Sequence, residues 1–189
     1  SDGAAAVVLC PTEIAKQYCA NPVEIIGSAQ TTGYNSLYNT PSATTLDATV
    51  IAAAQAFDMA KVKPADIDVV ELHDCFTIAE IIASEDLGFF APGEGHKAAE
   101  AGLTARDGAR PINTSGGLKS KGHPVGASGV AQTVEIWKQM RGEAGARQNQ
   151  QTAGGDEEDE QQVEDDDQVA QKAMKHGAVI PVAGNVVEG

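Results

Sequence analysis

Aromatic residues are few: one tryptophan, three tyrosines and four phenylalanines in 189 residues. Any core must therefore be built from alanine, valine, isoleucine and leucine. Cysteine is scarce too, and three thiols at irregular spacing give neither a disulfide framework nor a metal-ligand pattern. A reducing compartment is the natural setting. No apolar run is long enough to cross a membrane. The opening residues do not read as a basic-then-apolar leader, so a presequence would have to lie upstream of Ser1. The final Val-Val-Glu-Gly is not a Ser-Lys-Leu address. Basic residues number 13 against 27 acidic ones, a balance that repels phosphates and argues against a nucleic-acid partner. The length suits one domain, or one domain with an appended piece.

The net charge of −14 is concentrated in one place. Asp156–Asp167 (DEEDEQQVEDDD) holds nine acids and no base, and removing those nine from −14 leaves −5. Such a self-repelling run has too little apolar surface to offset its ordering entropy. Residues 149–168 are therefore expected to form a disordered acidic insert; docking to a basic partner is the alternative role.

The richest stretch is Asn113–Gly129, NTSGGLKSKGHPVGASG. It sets His123 among Gly116, Gly117, Gly122, Gly126 and Gly129, where backbone can approach a ligand closely. Val130, Val134, Trp137 and Arg141 then fall at helical spacing, which predicts a helix over 130–141. Its N-terminal amides suit a developing oxyanion, and a histidine at that end can donate a hydrogen bond or take a proton near neutral pH. Taken alone, Gly-His-Pro is more often a turn with a solvated histidine.

A second motif lies upstream. Asp68–Leu72 (DVVEL) reads as a strand that delivers His73-Asp74-Cys75-Phe76 at its C-terminal end, where ligands collect in α/β folds. Ile78, Ile81 and Ile82 mark the buried face of a following helix. On residue type alone, Cys75 reads as a small buried hydrophobe and His73 as a structural histidine. Elsewhere, Val23–Gln30 reads as a strand, and Asp47 or a nearby threonine as the cap of a helix to about Lys61 with Val50, Ala54 and Phe57 on one face. Lys63-Pro64-Ala65 is a breaker, a weak helix lies near Lys97–Glu100, and Pro111-Ile112-Asn113 is a strand. His96 reads as a surface residue, and Tyr34 and Tyr38 as candidates for the mouth of a site. This order gives an α/β domain with a mixed sheet and helices on both faces.

NTSGG followed by GHPVGASG resembles the histidine loop of the thiolase superfamily. VVELHDCF and Arg141–Gln148 (RGEAGARQ) resemble the sterol-carrier-protein-x type, in which HDCF stands where most thiolases carry Asn-Glu-Ala-Phe. The likeness runs from Ser1 to about Gln148. It implies a C-terminal thiolase domain over 23–148, preceded in 1–22 by the end of the N-terminal domain and followed after the insert by divergent strands in 169–189. By this resemblance His123 activates a nucleophilic cysteine and, with His73, forms an oxyanion hole, while Cys75 moves a proton at the α-carbon of an acetyl unit. Ser115, Gly116, Gly122 and Gly126 are the accompanying loop and oxyanion-hole residues. The implied reaction is cleavage of 3-ketoacyl-CoA by coenzyme A through an acyl-cysteine. Coenzyme A is a substrate, and no metal or covalently bound cofactor is called for. The complete enzyme would be a homodimer, in a peroxisome or mitochondrion, or otherwise in the cytoplasm.

Two departures qualify that expectation. The nucleophile of the family sits in a Cys-x-Ser motif in the N-terminal half. Neither Cys10 (LCPTE) nor Cys19 (YCANP) has that context, so both read as structural and the nucleophile half as missing from this chain. In Ala173–Val187, His176 matches the family's terminal histidine, but its asparagine is missing and the glycine turn is shortened. A non-catalytic acyl-CoA-binding or regulatory protein and a ketoacyl-synthase-like condensing enzyme are the alternative readings.

Overall fold

The computed structural model describes residues 1–34, 36–149 and 177–183, with the backbone alone at residue 37 and over 177–183. His176 and most of the expected acidic insert lie outside the described residues. Asn149 does not belong to that insert: it is buried, and its Nδ2 donates to the Arg106 carbonyl at 2.6 Å.

The regular elements are α1 (Thr12–Ala15), β1 (Glu24–Thr31), α2 (Asp47–Ala60), α3 (Thr77–Asp86), α4 (Gly95–Glu100), α5 (Gly117–Lys121), α6 (Val125–Met140) and β2 (Gly177–Ala183). β1 and β2 pair in parallel, from Glu24 opposite Gly177 to Thr31 opposite Ala183. Among the described residues every strand pairing is parallel, so the mixed sheet expected from the sequence is not seen here. Pro181, which has no N–H to give, sits in β2 as it can at a sheet edge.

α2 packs on β1, and Gly27 decides how closely. A Cβ at Gly27 would collide with the Ala56 carbonyl oxygen and lie 3.1 Å from the Ala60 Cβ. That approach turns the alanines inward: Ala48, Ala52, Ala53 and Ala56 are buried, while Val50 is partly exposed and Ala54 exposed. The expected face of Val50, Ala54 and Phe57 is thus displaced; of the three, only Phe57 packs on the core. Asp47 is the first helical residue rather than the cap. The turn ahead of it is held from α3, where Asp86 accepts the Leu46 N–H at 2.6 Å.

The core joins Ala53, Val70, Leu72, Ala83, Leu87 and Ile112, with Phe57, Ile67, Phe89 and Phe90 packed against it. It holds the two site-bearing segments side by side. The expected strand 68–72 is an extended run with a single bridge, Val70 to Ile112. Its ladder stops because Asn113 turns to φ +54, and the Asn113 side-chain oxygen takes the Leu72 N–H at 2.9 Å in place of a backbone carbonyl. Beyond it, α3 buries Ala83 and Ser84, whereas Ile78 is exposed.

α6 begins at Val125, five residues before the start expected from its apolar spacing. Pro124, with φ −74, sets the chain for the first turn, and Gly126 and Gly129 are carried inside the helix. Its buried side chains are Ser128, Glu135 and Gln139 rather than the stripe that includes Trp137.

Candidate active site

His73 and His123 are brought together from segments fifty residues apart. Their ring centroids lie 4.9 Å from each other in an edge-to-face arrangement. His73 leaves the extended run just after buried Leu72, and His123 stands two residues before α6.

Ser128, in the first turn of α6, orients the second imidazole. Its hydroxyl donates to the Pro124 carbonyl at 3.2 Å and meets His123 Nδ1 at 2.8 Å. A hydroxyl has one proton. With that proton on Pro124, the serine oxygen accepts from His123 Nδ1–H, which leaves Nε2 as the acceptor and base. The His123 N–H donates to Ser1 Oγ at 3.0 Å.

Partial burial and, after it, the charge of His123 hold the His73 pKa below the ordinary histidine value, while Asp74 acts in the opposite direction. His73 is therefore neutral near pH 7, able to donate one ring hydrogen without carrying charge. Because the folded state binds the proton less readily than the unfolded chain, this contribution to stability is complete above about pH 6.5 and is lost as the pH falls. A ring-proton NMR titration should give His73 a midpoint below the ordinary histidine value of about 6.5. An equal or higher midpoint would remove the case for a neutral His73.

Cys75 sits two residues beyond His73, in the bend before α3, with its thiol open to solvent. Among the described residues its sulfur has no hydrogen-bond partner, so it joins the histidine pair through the chain alone. Gly122, at φ +76, ends α5 immediately before His123. Gly126 lies in the first turn of α6, whose amides have no carbonyl one turn earlier. Gly116, at φ +87, is the N-cap of α5. The Ser115 hydroxyl is already engaged by Glu71 at 2.6 Å and Lys121 at 2.7 Å. Tyr34 and Tyr38 are exposed, Cys10 is exposed, and half-buried Cys19 accepts from Arg141 Nη1 at 3.2 Å. Among the described residues no group of three His, Cys, Asp or Glu side chains converges as a metal would require. Nor, among them, is any helix long and apolar enough to cross a membrane.

The carboxylates that build this site were not singled out from the sequence. Asp74 accepts the Leu118 N–H at 2.9 Å, and its carboxylate lies where Gly117 would carry a Cβ. Gly117, at φ +63, is the residue that lets the two loops meet. Glu80 accepts from Asn113 Nδ2 at 3.0 Å, and burial first, then the charges of Asp74 and Glu71, raise its pKa. An acid inside the apolar run DVVEL was the available signal for Glu71, since a buried carboxylate must find donors.

A second polar network ties RGEAGARQ to the histidine loop. Gln139 is fully buried; its amide nitrogen donates to Thr114 Oγ1 at 3.1 Å and to the Arg147 carbonyl at 2.8 Å. Its side-chain oxygen accepts the Asn149 N–H at 2.8 Å, and Glu135 pairs with Arg147 at 3.0 Å.

The model of the thiolase C-terminal domain-like family matches residues 29–156. An acetyl-CoA acetyltransferase of Methanothermobacter thermautotrophicus is 55% identical over 148 residues, spanning 78% of this chain and 39% of that protein. Human sterol carrier protein 2 is 40% identical over 153 residues, spanning 78% of this chain and 28% of its own length. The chain thus covers well under half the length of these relatives. Among solved structures, an Ltp2-ChsH2(DUF35) aldolase aligns with a TM-score of 0.63 at 28% identity, over 70% of this chain and 35% of that one.

Proposed function

The chain belongs to the thiolase C-terminal domain-like family, and from that premise we propose that it supplies the histidine and acid/base side of an acyltransferase site acting on 3-ketoacyl-CoA. The supporting observation is the contact of His73 with a His123 whose Nδ1 is engaged by Ser128.

In this reading a second half of the complete protein provides the nucleophilic cysteine. His123 Nε2 takes the thiol proton, and the thiolate attacks the 3-keto carbon. Charge developing on that oxygen is met by ring hydrogens of His73 and of the now protonated His123. The bond between carbons 2 and 3 then breaks, and its electron pair leaves on the α-carbon of acetyl-CoA. The Cys75 thiol protonates that carbon. Coenzyme A gives its thiol proton to the Cys75 thiolate, attacks the acyl-cysteine and departs as the shortened acyl-CoA, and the released cysteine thiolate takes its proton back from His123. Coenzyme A enters as a substrate, and the residues named here require no resident metal or covalent cofactor.

The same reading assigns 23–148 to the C-terminal domain, 1–22 to the end of the preceding domain, and the α/β body to a larger mixed sheet flanked by helices in a homodimer. The solved aldolase favours a second reading, carbon–carbon cleavage without an acyl-cysteine. The complete protein should release acetyl-CoA from a 3-ketoacyl-CoA only when coenzyme A is added. Cleavage of a 3-hydroxyacyl-CoA without added coenzyme A would select the aldolase reading instead. Binding of acyl-CoA with no cleavage of either substrate would make the protein a carrier or regulator.

A further inference from the structure

Glu71 and Lys121 each stand two residues ahead of a site histidine. The Glu71 side chain is wholly enclosed and meets donors from two places on the other loop. At its near end, Thr114 Oγ1 donates at 3.3 Å, the Ser115 N–H at 2.8 Å and Ser115 Oγ at 2.6 Å. At its far end, Lys121 Nζ lies 3.3 Å from the carboxylate and donates to Ser115 Oγ at 2.7 Å. The serine proton goes to Glu71 and its oxygen receives the ammonium, so the three groups close a ring of charge-assisted hydrogen bonds.

We infer that Glu71, Ser115 and Lys121 form a strut that sets the register of His73 against His123. The loop between Ser115 and His123 is rich in left-handed glycine, with Gly116, Gly117 and Gly122 all at positive φ. Its middle is the short helix α5, but the left-handed glycines at both ends of that turn leave its placement to outside contacts. Asp74 fixes its middle through the Leu118 N–H, and the strut fixes both ends, Ser115 and Lys121, to one carboxylate. Because the carboxylate is enclosed, the pair is not an exposed ion pair of little consequence. Removing one partner leaves buried charge uncompensated, and the loop must move to find solvent or another donor. These act as positioning residues, their polar groups engaged with one another.

The inference rests on the reading of the two histidines as working groups, but its test needs no turnover, so absent thiolase activity and a disturbed ring contact are separate results. In the 189-residue chain, the His73 and His123 ring protons should give a nuclear Overhauser cross-peak, as their 4.9 Å centroid separation requires. Lys121→Met and Glu71→Gln should both lose it while unfolding stays cooperative, and Lys121→Arg should keep it. A role in stability alone would lower the unfolding midpoint and leave the cross-peak in place. If Glu71→Gln fails to fold, Lys121→Met decides, since that side chain is partly exposed. An unchanged cross-peak in Lys121→Met overturns the proposal.

Discussion

Cys75→Ala in the complete protein should lower carbon–carbon cleavage by about 10²–10⁴-fold, the usual scale of general acid–base catalysis, while acylation of the proposed upstream cysteine by a saturated acyl-CoA, which needs no proton at carbon, remains detectable. The split follows from the separation of tasks in the site. In the proposed mechanism His123, oriented by Ser128, serves the nucleophile. The proposed mechanism gives the α-carbon proton to Cys75, which is exposed in the bend before α3. Packing is barely touched, because a solvent-facing thiol contributes little burial, so the folded variant should match the parent in thermal unfolding. Mass spectrometry of the trapped acyl-enzyme, alongside the rate of acetyl-CoA release, separates the two steps. Unchanged thiolysis in the variant would sink the assignment of Cys75.

Gln139→Leu should destabilise the fold by about 3 kcal/mol, since each buried group stranded without a partner costs roughly 1–3 kcal/mol. Leucine fills similar volume, so the loss comes from hydrogen bonding. The Asn149 N–H, the Arg147 carbonyl and Thr114 Oγ1 all lose a partner in a region closed to water. Urea unfolding reads this as a lower midpoint at an unchanged slope. A loss below about 0.5 kcal/mol, the scale of a neutral surface change, would mean the network relaxes around the missing amide.

The parts of the site visible in the sequence were those carried by short contiguous motifs. GHP and HDCF lie in the short runs that carry the thiolase resemblance, and it was that resemblance, not residue type or placement, that singled out His73, Cys75 and His123 before any fold was known. The groups holding those motifs together are spread through the chain. Glu71 stands in an apolar run, Asp74 beside a histidine, and Gln139 on a helix whose spacing directs attention to its valines and tryptophan. Apolar periodicity reports which side of a helix is greasy, but a helix that buries a hydrogen-bonded glutamine breaks that rule. The same limit explains α2. The strand at Val23–Gln30 and the helix from Asp47 were both legible, yet the inward face depends on a backbone approach at Gly27. No pattern within the helix itself records that contact. At α6, glycine density suggested loop where Pro124 had already set a first turn.

The pairing of β1 with β2 also constrains the order of folding. Among the described residues, 24–31 find their ladder in residues 177–183, a contact between distant parts of the chain of the kind that forms slowly. During synthesis, β1 must wait with an open edge while everything between is made. Its face can be covered early by α2, whose alanines lie close in sequence. Its edge cannot, and an unpaired edge is a template for a neighbouring chain. Yield should therefore depend on how fast 177–183 reach the sheet relative to encounters between nascent chains. Starting fewer chains at once would protect this one by making encounters at that edge rarer, without changing a single contact in the finished fold.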